Sequence, residues 1–407
     1  MLPIELHHML APALRRGFAS TATSSRPLVV LGLESSADDT CASVVTSPRE
    51  ILSNVVLKQS NIHEAYGGIH PLHAQEAHQR NMPLGIQQAL RDANVGLSDL
   101  DGIAFTRGPG MYGCLSVCAG AAKALAAATG KPLLGVHHMQ AHALTPFLTA
   151  SAASHPSPSF PFLTLLLSGG HTLLLNCTSY SSFKILATTH DESIGACFDK
   201  ASRDMEISWA LGAGSPGAAL EKFAWPGLSL QGTEEVGEGE VEGEKEVAFP
   251  TPFRSELAFS YAGLRSALTR ILAKTPAKEM PEARKRSLAR SFMLAGFRQI
   301  EDKVELALKL RQQRGEDRVK GLVVSGGVAS NLILRERLRI RLDELGYPDM
   351  PLIFPPPKYC TDNAAMIAFV GLLRLQRGLV DPLTVMQKSM WSVEECEADF
   401  AQAISGK

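Results

Sequence analysis

The chain predicts a two-lobed α/β fold whose halves repeat one plan, because three polar turns follow apolar strands at corresponding places. The first is a hairpin: residues 28–33 form a β-rich run, Glu34-Ser-Ser-Ala-Asp-Asp-Thr40 supplies turn formers, and residues 41–46 form a second run. A similar unit recurs over residues 162–177, where Ser168-Gly-Gly-His171 separates two apolar strands. In the third, residues 321–324 run into Ser325-Gly-Gly-Val-Ala-Ser-Asn331 and then a helical pattern from Leu332. Glycine pairs behind buried strands let backbone approach a ligand and aim N–H groups at phosphate oxygens, helped in the third case by a helix N-terminus. Two such hairpins, one per half, with a strand–Gly-Gly–helix unit suit a nucleoside phosphate.

Length and composition agree with that plan. At 407 residues the chain has room for two cores, and we divide it into a first lobe over 27–150, a second over 151–390 and a tail over 391–407. The net charge of −1 means that any nucleic-acid surface is local. One region supplies it: residues 253–341 hold 20 Lys+Arg against 9 Asp+Glu. Arg284-Lys-Arg286, Arg290, Arg298 and the alternating Arg335, Arg337, Arg339 and Arg341 are its candidate phosphate contacts. The seven cysteines include no Cys-x2-Cys pair, which fits a reducing compartment and argues against a disulfide framework or zinc ribbon. Apolar runs such as Phe162–Leu167 are strand length, so no membrane domain is expected. Residues 1–26 contain Arg15, Arg16 and Arg26, a Ser/Thr cluster and a single acid, Glu5. That is the profile of a mitochondrial presequence and places the protein in the matrix. Residues 227–247, with seven Glu, five Gly and one Lys, read as a disordered acidic insertion.

The strongest chemical signal is Val136-His-His-Met-Gln-Ala-His142 together with Thr361-Asp-Asn363. Helical spacing puts His138 and His142 on one face, one turn apart, where two imidazoles can share a divalent ion. A third ligand from a remote loop would leave positions open for substrate. A zincin would instead need His-Glu-x-x-His. Met139, Gln140 and Ala141 stand between the histidines here, and none can accept a proton.

Eight ordered motifs over roughly residues 28–390 carry a family resemblance. They are Gly32-Leu-Glu-Ser-Ser-Ala-Asp-Asp-Thr40, Gly108-Pro-Gly-Met-Tyr-Gly-Cys-Leu-Ser-Val117, the His138/His142 pair and Leu166-Leu-Ser-Gly-Gly-His171. Phe198-Asp-Lys200, Phe259-Ser-Tyr-Ala-Gly-Leu264, Ser325-Gly-Gly-Val-Ala-Ser-Asn331 and Thr361-Asp-Asn-Ala-Ala365 complete the set. The chain resembles the tRNA N6-adenosine threonylcarbamoyltransferases, formerly described as O-sialoglycoprotein endopeptidases, and most of all their mitochondrial branch. The fold implied is the duplicated actin/hexokinase/Hsp70-like (ASKHA) type.

The resemblance implies an acyl transfer. The carbamoyl carbon of threonylcarbamoyl-adenylate, made by a separate synthase, is attacked by N6 of the adenosine immediately 3′ of the anticodon in tRNAs reading codons that begin with A. AMP leaves. By the same resemblance His138, His142 and Asp362 hold one divalent metal, iron or zinc, with Thr361 beside it. Leu166, Leu167, Ser168, Gly169, Gly170, Asp199, Gly217, Glu221, Ser330 and Asn331 line the nucleotide-type substrate. Asp38 and Asp39 face the reacting centre and are the candidates for proton handling or orientation. The mitochondrial branch implies a homodimer, with the small-residue helix over 114–129 as its face.

Three positions depart from the family pattern. Gln140 replaces the usual Glu, Ser215-Pro-Gly217 replaces a Pro-Gly-Gly-Pro turn, and Met293 ends what is normally Ser-Phe-Gln. The rival readings on the same fold are a sugar-kinase-like or chaperone-like ATPase and a non-catalytic nucleotide-binding scaffold. Neither needs His138 and His142.

Overall fold

The computed structural model describes residues 26–398 apart from 67, 152–155, 213–214 and 228–246. Residues 1–26, expected to be a presequence, and the acidic segment 227–247 therefore lie, but for their end residues, outside the described part. Strands β1 (Val29–Glu34), β2 (Thr40–Thr46), β3 (Glu50–Leu57), β4 (Gly102–Gly108) and β5 (Leu133–His137) make the first sheet, in the order β3-β2-β1-β4-β5. The second holds β6 (Phe162–Leu167), β7 (Thr172–Cys177), β8 (Phe183–Thr189), β9 (Ala258–Phe259), β10 (Leu322–Ser325) and β11 (Leu352–Ile353). Its order is β11-β10-β6-β7-β8-β9. In both sheets three strands meander antiparallel, and two more add in parallel beside the first of them. Without β9 the two orders coincide, so the duplication is a matter of topology as well as motif. β1, β2 and β6 are buried almost throughout, which is why they read as apolar runs instead of alternating ones.

The helices of the first half are α1 (Ser60–Ala65), α2 (Pro71–Asp92), α3 (Tyr112–Thr129) and α4 (His138–Thr149). In the second half follow α5 (Ile194–Asp204), α6 (Pro216–Ala224), α7 (Ala262–Lys274) and α8 (Glu282–Gln313). They are followed by α9 (Leu332–Glu344), α10 (Pro357–Cys360) and α11 (Ala364–Gln376). Helix α3 is long and apolar enough to cross a membrane by length and composition, longer than the strand-length runs weighed above. Its Cys118, Ala119, Ala122 and Ala126 are buried against Leu31, Leu33, Ile103 and Phe105 of the first sheet, the packing of a core helix.

Helices α4 and α11 form a layer common to both lobes. Met139, Leu144 and Phe147 of α4 and Met366, Ile367 and Val370 of α11 share one core with Val30, Ala104 and Val136 of the first sheet and with Phe162, Leu166 and Val323 of the second. Although α11 falls within the 151–390 span, it lies directly on the first sheet. A Cβ at Gly32 would stand 2.4 Å from the Ala364 carbonyl oxygen, and one at Gly371 would stand 2.5 Å from Ala104 Cβ. The tail boundary also shifts: Trp391, Val393 and Cys396 are buried, the last two in the shared core.

Candidate active site and metal centre

The chain turns from strand to helix at His137, and its imidazole makes that turn. Nδ1 accepts the N–H groups of Met139 (3.1 Å) and Gln140 (3.4 Å), capping α4, while Nε2 donates to the Trp391 carbonyl at 3.0 Å. Burial lowers the His137 pKa to about 3, so the ring stays neutral and keeps its acceptor. The cap leaves His138 and His142 on one buried face of α4, their rings 4.7 Å apart and edge to face.

Opposite them, Asp362 sits in the loop between α10 and α11, where Asn363 caps α11 through the Met366 N–H. Asp362 Oδ1 lies 3.0 Å from His142 Nε2 and 3.4 Å from His138 Nε2. One ligand atom from each of the three residues lies within 4.8 Å of the others. Two imidazole nitrogens and a carboxylate oxygen converging this closely fit zinc or ferrous iron, with coordination positions left over. Burial would raise the Asp362 pKa, but the adjoining His138 and His142 outweigh it and hold the carboxyl well below its ordinary range.

The sequence reading missed Glu34, treating it only as a turn former. It ends β1 with no exposed surface, and His138 Nδ1 donates to its Oε2 at 2.9 Å. The Ser36 N–H and the Thr106 hydroxyl donate to the same carboxylate. Burial would raise its pKa, and the attraction and hydrogen bond of His138 lower it instead. Glu34 thus fixes the tautomer that turns His138 Nε2 toward Asp362, the usual service of a carboxylate behind a metal-binding histidine. The sequence signal was an acid closing an apolar strand, which must find buried partners. His171, the last residue of the Ser168-Gly-Gly-His turn, was also passed over. Burial and then the charges of His138 and His142 lower its pKa to about 4.

Asp38 and Asp39 occupy the turn between β1 and β2, half-buried. Burial and then the Asp362 charge raise Asp38 to about 8, with smaller contributions from Asp39 and from Asp199 of the second lobe. The same two leading causes raise Asp39 to about 6. The charges of Asp362 and, more weakly, of Asp199 thus both act on the Asp38 carboxyl.

The substrate-lining residues fall into two groups. Leu166 and Leu167 are buried core side chains, so only their backbone can meet a ligand. The lining passes to Ser168, Gly169 and Gly170, because a Cβ at either glycine would meet nothing within 4 Å. Ser168 Oγ accepts the His171 N–H at 3.0 Å, and the Ser193 hydroxyl donates to the Gly169 carbonyl at 2.5 Å, which fixes the turn. Across the second lobe, Asp199 accepts the Gly217 N–H at 2.8 Å, and Glu221 accepts the Leu332 N–H at 2.9 Å. Asn331 caps α9 through the Leu334 N–H at 2.9 Å, and the Ser330 hydroxyl donates to the Gly327 carbonyl at 2.7 Å. A Cβ at Gly327 would touch Thr361 Cγ2 at 3.8 Å, so the third glycine turn meets the metal loop. At the departures, Gln140 Nε2 donates to the Tyr180 carbonyl at 2.8 Å and Met293 is core.

The row Arg335, Arg337, Arg339 and Arg341 does not form a phosphate-facing surface. Arg337 pairs with both oxygens of Glu301 through Nε and Nη2, Arg339 with Asp343, and Arg341 with Glu305 and Glu344. Arg335 donates to the Ala329 carbonyl and lies over Phe354. Alternate residues on a helix point to different faces, so the spacing never formed one stripe. Arg286 pairs with Glu282, and Arg290 donates to the Ala224 carbonyl, whereas Arg284 and Arg298 are exposed. Arg107 donates to the Met386 carbonyl, lies 3.7 Å from Asp381 and covers Trp391; it braces the C-terminal segment.

A duplicated α/β body with a buried His-His-Asp cluster and open glycine turns defines a protein of the ASKHA fold class. The family model for TsaD, tRNA N6-adenosine threonylcarbamoyltransferase, matches residues 50–369, and the chain belongs to that family. Its members are acyltransferases that modify tRNA, so the ATPase and scaffold readings fall away. A tRNA N6-adenosine threonylcarbamoyltransferase of Novosphingobium aromaticivorans is 37% identical over 375 residues, 90% of this chain and 96% of its own length. One from Rickettsia bellii is 34% identical over 368 residues, covering 90% and 99%. The solved structure of T. kodakarensis HypF aligns over 86% of this chain and 48% of its own with a TM-score of 0.50 at 14% identity, a likeness of fold.

Proposed function

We propose that this enzyme transfers the threonylcarbamoyl group from threonylcarbamoyl-adenylate to N6 of the adenosine 3′-adjacent to the anticodon, in mitochondrial tRNAs reading codons that begin with A. AMP is released. The observation that carries this reading is the convergence of His138 Nε2, His142 Nε2 and Asp362 Oδ1, backed by Glu34. An exocyclic adenine amine is a weak nucleophile, so positioning and stabilisation of the leaving phosphate must lower most of the barrier. His138, His142 and Asp362 would hold one zinc or iron ion, which when bound supplies Lewis-acid stabilisation of developing charge. The open Gly169 and Gly170 backbone lets the adenylate approach closely. Asp38 and Asp39 orient the acceptor amine or take its proton.

Matrix localisation rests on the Arg- and Ser-rich, acid-poor residues 1–26. The donor comes from a separate synthase, and the active form is a homodimer through α3, by likeness to the mitochondrial branch. The deciding assay combines the purified protein with a threonylcarbamoyl-adenylate synthase, threonine, bicarbonate, ATP and unmodified tRNA. Mass spectrometry of the nucleosides is expected to find threonylcarbamoyladenosine, and its absence with a competent synthase would overturn the reading.

A further inference from the structure

Beside the Asp38 turn lies a group of rings, two exposed and one half-buried, to which the active site gives no role. Tyr66 follows α1, and His70 and His73 open α2. Tyr66 stacks on His73 with centroids 4.4 Å apart and planes 24° apart, and His70 lies 4.6 Å from His73 and 5.5 Å from Tyr66. Tyr66 is 55% exposed, with exposed Ile69 and Leu72 next to it. Water gains nothing from such a surface, and the body of the protein leaves it open.

Its position points toward the reaction. His63 of α1, one turn before Tyr66, approaches the Asp38 carbonyl with Nε2 at 3.4 Å. Gly68 lies on the other side of Tyr66, where a Cβ would come 3.7 Å from Nη1 of Arg203. Arg203 belongs to α5, one turn after Asp199, and its charge lowers the Asp199 pKa against the larger effect of burial. The rings therefore sit at the rim between the acidic turn of one lobe and the substrate helix of the other, with a guanidinium alongside.

We propose that Tyr66 and His73 form a stacking platform for an unpaired base of the RNA substrate next to the target adenine, with Arg203 toward its phosphate. The proposal rests on the tRNA reading of this enzyme. Flat, exposed aromatic faces beside a cation are the features by which proteins hold single-stranded bases without reading their identity. A base stacked there would splay the loop and leave its neighbour free to enter the cleft.

The test uses full-length protein and an unmodified anticodon stem-loop carrying 2-aminopurine next to the target adenosine. Stacking is expected to quench its fluorescence in the parent and in Tyr66→Phe. In Tyr66→Ala and His73→Leu the quench should be largely lost and the RNA dissociation constant should rise about tenfold, with AMP binding and thermal midpoint unchanged. Equal quench and RNA affinity in parent and Tyr66→Ala would overturn the platform. Quench that depends on Tyr66 in a parent that forms no threonylcarbamoyladenosine would keep the platform and reject the transfer reaction.

Discussion

A carboxylate with no solvent access, as at Glu34, is tolerable only when donors surround it, and here a histidine, a backbone amide and a threonine do so. Glu34→Gln keeps the shape and loses the charge that holds His138 Nδ1–H. Zinc affinity, read by competition with a chelator, is expected to fall about 10–100-fold with an unchanged circular dichroism spectrum. Unaltered affinity would make Glu34 a packing residue only. His138→Ala and Asp362→Ala remove ligands outright and should lose nearly all bound metal and transfer activity while staying folded. Metal analysis and the transfer assay check both. Glu221 offers a pH test. Burial raises its pKa from 4.5 to about 7, despite the Leu332 N–H, so the folded state binds the proton more tightly than the unfolded chain. Its contribution to stability therefore declines as pH rises through that interval, on the order of 3 kcal/mol in all. Denaturant midpoints of Glu221→Gln at several pH values should lack that decline.

At the scale of elements, the metal loop is placed by helix packing. Asp362 stands two residues before α11, and α11 approaches β1 so closely that only a glycine fits at Gly32. Gly32→Val is expected to destabilise the protein by about 3 kcal/mol or more and to weaken metal binding, because the helix cannot yield without moving Asp362. Thermal melting with metal analysis would show both losses together. The elements near the cleft were legible in sequence because their periodicities are local: two apolar runs around a polar turn, or a glycine pair before a helix. The layer made by α4 and α11 was not. An all-buried helix such as α4 carries no amphipathic stripe, and its partners are more than 200 residues away in sequence. For the same reason the His-His pair could be read, but the carboxylate supporting it could not. A count of charges says nothing about their partners, and the arginine row has carboxylates of the protein beside it.

For the whole molecule, the net charge of −1 leaves tRNA binding to local patches. Among the candidate arginines, Arg284 and Arg298 are exposed, whereas Arg337 and Arg341 hold carboxylates of the protein itself. Alanine at Arg284 and Arg298 should flatten the salt dependence of tRNA binding by nearly one unit of slope per lost contact. Alanine at Arg337 and Arg341 should lower the melting temperature and leave the salt curve parallel to the parent's. The reverse pattern would return the α9 row to the RNA surface.

The two sheets repeat one strand order, but the layer of α4 and α11 joins them in a single core. Val30 and Val136 from one sheet and Phe162 and Val323 from the other bury against the same two helices. Neither half can lose its structure without stripping the cover from the other. The protein is therefore one cooperative unit in two-lobed form, and calorimetry should record a single unfolding transition in place of two.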